Sequence, residues 1–144
     1  MDQVFGVDYS AAYDSIYSGK NYEDESARVE NLIGEFSPKI TAERQNSSIL
    51  DLGCGTGGHV FEFARLGYKK ILGVDRSPAM ISQALQKARE GRSSSISISE
   101  GDLRTFRVSE KFDAALMMFA VLGYQTQNED VMAAFKTVSL HLKP

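Results

Sequence analysis

The chain has 144 residues, 42% of them hydrophobic, and a formal net charge of −3, which fits one domain with a buried core and excludes an intrinsically disordered chain. Charges of both signs are interspersed without a basic stripe, so we expect no nucleic-acid partner, and no apolar run is long enough for a membrane helix. The single cysteine excludes an intrachain disulfide and suits a reducing cytoplasm, where we expect the protein to act.

Two helices are predicted before the first strand. The first covers residues 10–17 and the second covers residues 23–36, which end before Pro38. Tyr13 and Tyr17 are four positions apart and therefore lie on one side of the first helix. We expect the two helices to form a cap over the rest of the chain.

Strands and helices alternate after this cap. Apolar strands are predicted at residues 47–51, 70–75, 96–99 and 112–118, and helices at residues 59–66, 78–90 and 131–142. The alternation predicts an α/β fold with a doubly wound parallel sheet, whose right-handed crossovers bring the carboxyl ends of the strands to one edge. Asp51, Asp75 and Asp102 therefore gather at that edge.

A glycine-rich turn follows the first strand. Residues 51–57 read D-L-G-C-G-T-G; the glycines allow positive φ and a close approach of the backbone to a ligand, and the next helix offers free N–H groups at its start. The turn therefore predicts a nucleotide-type cofactor site. The spacing of Gly53, Gly55 and Gly58 also fits the dinucleotide pattern G-x-G-x-x-G, so an NAD-binding oxidoreductase stays an alternative.

Three segments, taken in order, resemble the class I S-adenosylmethionine (SAM) methyltransferases. They are D-L-G-C-G-T-G, then V-D-R-S-P-A-M at residues 74–80, then G-D-L at residues 101–103. The resemblance implies a Rossmann-like fold, with SAM as cofactor and S-adenosylhomocysteine as product. It also implies that Asp75 binds the ribose hydroxyls and that Asp102 accepts a hydrogen bond from the adenine amino group.

The same resemblance implies roles for further residues. Asp51 orients the glycine turn and the methionyl ammonium, and the backbone N–H of Leu103 meets an adenine ring nitrogen. Arg76 and Met80 enclose the adenine faces, and Cys54 lines the turn as a small side chain. No metal site is predicted. The complete predicted cofactor-binding set is Tyr13, Tyr22, Asp51, Gly53, Cys54, Gly55, Gly57, Asp75, Arg76, Met80, Asp102, Leu103 and Met118.

Two other segments resemble a narrower group. Residues 13–22, Y-D-S-I-Y-S-G-K-N-Y, and residues 118–124, M-F-A-V-L-G-Y, resemble the sugar N,N-dimethyltransferases of dTDP-aminosugar pathways, such as desosamine biosynthesis. This implies methyl transfer to a small-molecule acceptor, with the amino group of a nucleotide-linked aminosugar as the candidate. We predict Tyr17 and Tyr124 as catalytic residues that line the acceptor pocket. A clamp on the SAM carboxylate, formed by Tyr17 with the tyrosines of the cofactor set, is the alternative.

The family sheet has seven strands in the order 3-2-1-4-5-7-6, and four of them can be placed in this sequence. We therefore interpret residues 1–40 as an N-terminal helical cap and residues 41–144 as the N-terminal part of the SAM-binding domain, with strands five to seven missing. The apolar fourth strand would then be an unpaired edge, which predicts either self-association into a homo-oligomer or poor stability of the chain. A fragment that binds SAM without turnover is the alternative to an enzyme.

Overall fold

A four-stranded parallel sheet forms the centre of the computed structural model, which describes residues 6–144. The strands are β1 (Ser48–Leu52), β2 (Lys70–Asp75), β3 (Ile96–Glu100) and β4 (Ala114–Leu116). The helices are α1 (Val7–Ile16), α2 (Tyr22–Phe36), α3 (Pro38–Ala42), α4 (Gly58–Arg65), α5 (Pro78–Glu90) and α6 (Asn128–His141), with a 3₁₀ helix at Val121–Tyr124. The strand order is β3-β2-β1-β4 with parallel pairing throughout, which confirms the predicted fold.

Strand β1 lies in the middle of the sheet, and all five of its residues are buried. Its side chains alternate between two apolar clusters because successive residues of a strand point to opposite faces. Ile49 packs in a cluster with Phe63 of α4, whereas Leu50 and Leu52 pack in a second cluster with Phe112. Both faces of the strand are therefore covered, as a continuous apolar run predicts.

The two predicted N-terminal helices are present as α1 and α2, and they contact α5 and α4 respectively. Helix α2 begins with a side-chain cap, since Asn21 Oδ1 accepts a hydrogen bond of 3.0 Å from the Asp24 backbone N–H. Helix α3 was not predicted; Pro38 occupies its first position, where a missing N–H costs nothing. The division between a cap and a domain at residue 40 stays a prediction, and α3 spans it.

Strand β4 is much shorter than the predicted strand at residues 112–118. Phe112 lies outside it and forms a parallel bridge with Leu142, the residue that follows α6. At the other end, Phe119 and Ala120 have φ values of 54° and 57°, a left-handed conformation that cannot continue a strand. The apolar run is thus longer than the strand because its last part turns away from the sheet.

The helices next to the carboxyl edge of the sheet begin in different ways. Helix α5 begins as predicted, with the Ser77 hydroxyl accepting a hydrogen bond of 3.3 Å from the Met80 N–H. Helix α6 begins at Asn128 rather than at residue 131, because its polar first turn adds nothing to the apolar periodicity.

Within residues 6–144, no helix has the length and apolar character that crossing a membrane requires.

Candidate cofactor and acceptor site

A cavity of about 350 Å³ opens at the carboxyl edge of the sheet. The predicted site residues that line it are Tyr13, Tyr22, Gly53, Cys54, Gly55, Asp75, Arg76, Met80, Asp102, Leu103, Met118 and Tyr124. The predicted residues Tyr17, Asp51 and Gly57 do not line it. The lining residues outside the predicted site set are Tyr9, Thr56, Gly58, His59, Gly101, Arg104, Phe119, Val121, Gln125 and Asp130. The three strand-end segments thus meet in one site.

The glycines of the turn after β1 serve different purposes. Gly53, Gly55 and Gly57 have φ values of 82°, 56° and 91°, which residues other than glycine rarely adopt. A Cβ at Gly53 would lie 2.5 Å from a methyl carbon of Val121, so this glycine makes room for the segment after β4. A Cβ at Gly55 would meet no heavy atom within 4 Å. Gly55 therefore leaves open space beside the backbone for a ligand.

Tyr22 packs on the backbone where α4 begins. A Cβ at Gly58 would lie 2.3 Å from the Tyr22 ring, so the absence of a side chain lets the ring approach the helix start. The Tyr22 ring also meets His59 edge-on, with 5.0 Å between ring centroids. Gly58, the third glycine of the dinucleotide pattern, is therefore a packing position for a ring of the cavity wall.

Asp75 joins the ends of β1 and β2. Its Oδ2 accepts a hydrogen bond of 2.9 Å from the Gly55 N–H, and its Oδ1 accepts one of 2.9 Å from the Ser77 N–H. These bonds fix both the glycine turn and the start of α5. A carboxylate offers about four lone-pair positions, so Asp75 retains capacity to accept hydrogen bonds from a ligand.

Asp51, at the end of the apolar part of β1, is buried without a partner. Its exposed fraction is 1%, and neither carboxylate oxygen has a hydrogen-bond partner. Burial, together with the nearby negative charge of Asp75, raises the pKa of Asp51 to about 7. A buried carboxylate without partners is costly when ionised. Asp51 is thus poised to gain from a cation or a donor near the turn.

Asp102 is held by an arginine that the sequence did not single out. Arg104 Nη2 donates a hydrogen bond of 2.6 Å to Asp102 Oδ2, and Nε donates one of 3.0 Å to Oδ1. Arg104 Nη1 reaches Asp130 of α6 at 3.0 Å. The guanidinium lowers the pKa of Asp102 and keeps it ionised. The contact between Arg104 and Asp130 has no signal in the sequence, because the two residues are 26 positions apart.

Aromatic rings form one wall of the cavity. The rings of Tyr9 and Tyr13 are 5.7 Å apart, and Phe119 and Tyr124 line the same cavity. Tyr17 stands behind this wall, with its ring 4.7 Å from Tyr13 and 5.0 Å from Phe119. The predicted catalytic Tyr17 therefore supports the wall in this structure, whereas the predicted Tyr124 lies on its surface. Their catalytic roles stay predictions.

The pKa values of two tyrosines in the wall are raised. The pKa of Tyr9 is raised to about 12, mainly because its hydroxyl meets that of Tyr17. Burial and the neighbouring Tyr22 raise the pKa of Tyr13 as well. Both phenols therefore stay protonated at neutral pH.

A charged cluster lies beside Tyr22, and one of its members, His59, lines the cavity. His59 Nε2 lies 2.8 Å from Glu25 Oε2, and the Lys20 ammonium lies 3.0 Å from the same oxygen. Burial would raise the pKa of Glu25, but these two hydrogen bonds outweigh it and lower the pKa. Burial lowers the pKa of His59. The Lys20 ammonium also stands 3.6 Å from the centre of the Phe119 ring, a cation–π contact.

Helix α1 is attached to the glycine turn by polar contacts. Thr56 Oγ1 donates a hydrogen bond of 2.7 Å to Asp14 Oδ1. Lys87 of α5 lies 2.5 Å from Asp14 Oδ2 and also donates to the Thr56 carbonyl at 3.2 Å. The helix that carries Tyr9 and Tyr13 is thereby fixed to the loop that holds Gly55.

Comparison with known proteins identifies the family. The family described as the methyltransferase domain matches residues 49–144. This chain belongs to that family. The match covers the glycine turn, the two later acids and the segment after β4 in one alignment, which confirms the family predicted from the three ordered motifs. It also decides between the two interpretations of the glycines, against an NAD-binding oxidoreductase.

Individual proteins similar to this chain belong to a narrower group than the family as a whole. The chain is 30% identical over 143 residues to dTDP-3-amino-3,4,6-trideoxy-alpha-D-glucopyranose N,N-dimethyltransferase of Streptomyces venezuelae, covering 98% of this chain and 55% of the relative. The crystal structure of Streptomyces venezuelae DesVI superposes with a TM-score of 0.78 at 29% identity, over 96% of this chain and 55% of that one. SAM-bound CalS10, an amino pentose methyltransferase from Micromonospora echinaspora, gives 0.71 at 32% identity, over 94% and 52%. The chain thus spans about half the length of these proteins.

Proposed function

We propose that this chain binds SAM and forms the cofactor-binding part of a methyltransferase for the amino group of a nucleotide-linked aminosugar. The observation that carries the proposal is the environment of Gly55, which has positive φ, open space beside it and its N–H fixed on Asp75. A turn of this kind at the end of the first parallel strand suits a nucleoside cofactor. The acceptor class is supported by two relatives, which are N,N-dimethyltransferases of dTDP-linked aminosugars.

The described residues fit the polar parts of SAM. The orphaned carboxylate of Asp51 would complement the charge of the methionyl ammonium from behind the cavity lining, which does not include Asp51 itself. Asp75 retains lone pairs for the ribose hydroxyls, and Asp102 and Leu103 line the end where adenine would lie. When bound, SAM supplies an electrophilic methyl group on a sulfonium sulfur.

The aromatic wall would orient the acceptor. Tyr9, Tyr13 and Phe119 present ring surface to the sugar, and Tyr124 adds a hydroxyl at the wall. Holding two reactants in line supplies up to roughly 7–11 kcal/mol of the barrier, so positioning is the main task of this wall. His59 lines the same cavity, and its lowered pKa keeps the imidazole neutral, the form that accepts the proton released from a methylated amine.

A SAM-binding module without turnover is the second candidate function. Within residues 6–144, the arginines that line the cavity are Arg76 and Arg104, and both stand beside the acids assigned to the nucleoside. Arg104 is already paired with two carboxylates. The diphosphate of a nucleotide sugar is usually bound by arginine or lysine, and the described part of the cavity offers no such cluster at the aromatic wall.

Calorimetry and a transfer assay test both candidates. Titration of the chain with SAM, S-adenosylhomocysteine and NAD should show binding of the first two ligands only. Binding of NAD without S-adenosylhomocysteine would overturn the proposal. Transfer of a radiolabelled methyl group from SAM to a dTDP-linked 3-amino or 4-amino sugar would establish turnover by this chain. Cofactor binding with no turnover on either sugar would support the binding module instead.

A further inference from the structure

Arg104 contacts two elements of the site at the same time. Besides the hydrogen bonds from Nη2 and Nε to Asp102, its backbone N–H donates one of 2.9 Å to Asp102 Oδ1. Its remaining donor group, Nη1, binds Asp130 in the first turn of α6. One side chain therefore fixes the acid after β3 from two directions and joins it to the helix after β4.

The contacts leave a particular part of Asp102 available. Oδ1 accepts from both the backbone N–H and Nε of Arg104, which occupies its two lone pairs. Oδ2 accepts the short bond from Nη2 and a longer contact of 3.2 Å from Nε. The guanidinium plane fixes the carboxylate rotation, so Oδ2 can accept one further hydrogen bond in a set direction.

We propose that Arg104 is a positioning residue for base selectivity: by holding Asp102 in one orientation, it makes the site select a 6-amino purine over a 6-oxo purine. The inference rests on the proposed function. Bound adenine would present an amino donor to Oδ2 and an acceptor nitrogen to the Leu103 N–H. Hypoxanthine presents a carbonyl oxygen and a ring N–H at the same places, so both pairings would be mismatched. A carboxylate free to rotate would pair with the ring N–H of hypoxanthine and discriminate less.

Arg107, in the same loop, provides a matched control that tests whether Arg104 acts only as a structural tie. Arg107 follows three residues later and also joins this loop to α6, since its Nη1 donates a hydrogen bond of 2.6 Å to Thr137 Oγ1. It makes no contact with Asp102 and does not line the cavity. Arg107→Gln therefore removes an equivalent tie to α6 and leaves the carboxylate clamp intact.

The test compares the affinity for S-adenosylhomocysteine with that for its 6-oxo analogue, S-inosylhomocysteine, by calorimetry. The wild-type chain should prefer the adenine ligand by about 10- to 100-fold, the cost of leaving one or two buried hydrogen-bonding groups unpaired. Arg104→Gln should reduce this ratio at least about fivefold, whereas Arg107→Gln should keep the wild-type ratio. Arg104→Lys, which keeps the charge but loses the planar bidentate contact, should give an intermediate ratio.

The outcomes separate the inference from the function on which it rests. An unchanged ratio in Arg104→Gln, or in Arg104→Lys if the glutamine variant does not fold, would overturn the positioning role while the proposed function stands. A fall of the ratio in Arg107→Gln equal to that in the Arg104 variants would also overturn it, because loosening of the loop would then explain both. A wild-type chain that binds neither nucleoside would contradict the proposed function itself.

Discussion

The carboxylate of Asp75 accepts a hydrogen bond of 2.9 Å from the backbone N–H of Gly55. The acid at the end of β2 therefore shapes the turn at the end of β1, in addition to any contact that it makes with a ligand. Its second oxygen fixes the start of α5 through the Ser77 N–H. Loss of this side chain should consequently affect both cofactor affinity and the stability of the turn.

Asp75→Ala should weaken S-adenosylhomocysteine binding by about 1.5–3 kcal/mol, or roughly 10- to 100-fold, because charge-assisted hydrogen bonds to ribose are lost. It should also lower the free energy of unfolding by about 1–2 kcal/mol, since the N–H groups of Gly55 and Ser77 lose their acceptor. Calorimetry and urea denaturation measure the two effects. Glu100→Ala, at the exposed end of β3, is the control. Equal affinities of the two variants would show that Asp75 is not the ribose ligand.

Two glycine substitutions should separate ligand space from packing space. Gly55→Val places its side chain in open space. Backbone strain at φ 56° should lower the free energy of unfolding by only about 1–2 kcal/mol. Cofactor affinity should fall at least about tenfold. Gly58→Ala places a methyl group 2.3 Å from the Tyr22 ring and should displace that ring. Calorimetry and thermal unfolding of both variants check this. Wild-type affinity in Gly55→Val would contradict the placement of the cofactor.

The regular elements of this fold follow from local sequence patterns. Strand β2 has its predicted bounds, and α5 begins at the predicted cap, Ser77. Apolar periodicity and turn residues report such elements because both act over a few neighbouring positions. The same holds for the motifs that bring Gly55, Asp75 and Asp102 to one edge of the sheet, since parallel topology alone places them there.

The parts that were not predicted depend on distant contacts. The apolar run after β4 leaves the sheet at Phe119 and Ala120, which adopt positive φ without a glycine to signal the turn. The role of Arg104 depends on Asp130, which only the folded chain brings near. Helical spacing correctly placed Tyr13 and Tyr17 on one side of α1, yet it could not show that the second ring packs behind the first.

Asp14 should control the attachment of α1 to the glycine turn. Asp14→Asn removes the charge that pairs with Lys87 and weakens the acceptor of the Thr56 hydroxyl. Because the Asp14 side chain is partly exposed, we expect a loss of only about 1 kcal/mol in the free energy of unfolding. Amide hydrogen exchange should nevertheless become faster in α1. Exchange in α1 of Asp14→Asn equal to that of the wild type would contradict the attachment.

The pKa of Asp51 predicts an inverted dependence of stability on pH. The folded protein holds this proton up to about pH 7, whereas the unfolded chain releases it near 3.8. The folded state therefore binds more protons between these values, and the contribution of Asp51 to stability falls as the pH rises from about 4 to about 7. Asp51→Asn removes this dependence. As the pH rises over this range, the free energy of unfolding of Asp51→Asn should increase relative to that of the wild type, by up to roughly 4 kcal/mol.

The pH dependence of the difference isolates the charge from the change of side chain. A buried asparagine amide has its own cost, but that cost does not change with pH, so only the slope between pH 5 and 7 is diagnostic. Asp113→Asn provides the contrast: hydrogen bonds from Lys143 and Ser48 outweigh burial and lower the pKa of Asp113, so both states are ionised above pH 5 and its difference from wild type should stay constant. Urea denaturation at several pH values measures both. A flat difference for Asp51→Asn would show that Asp51 is ionised in the folded protein and has a partner at the turn.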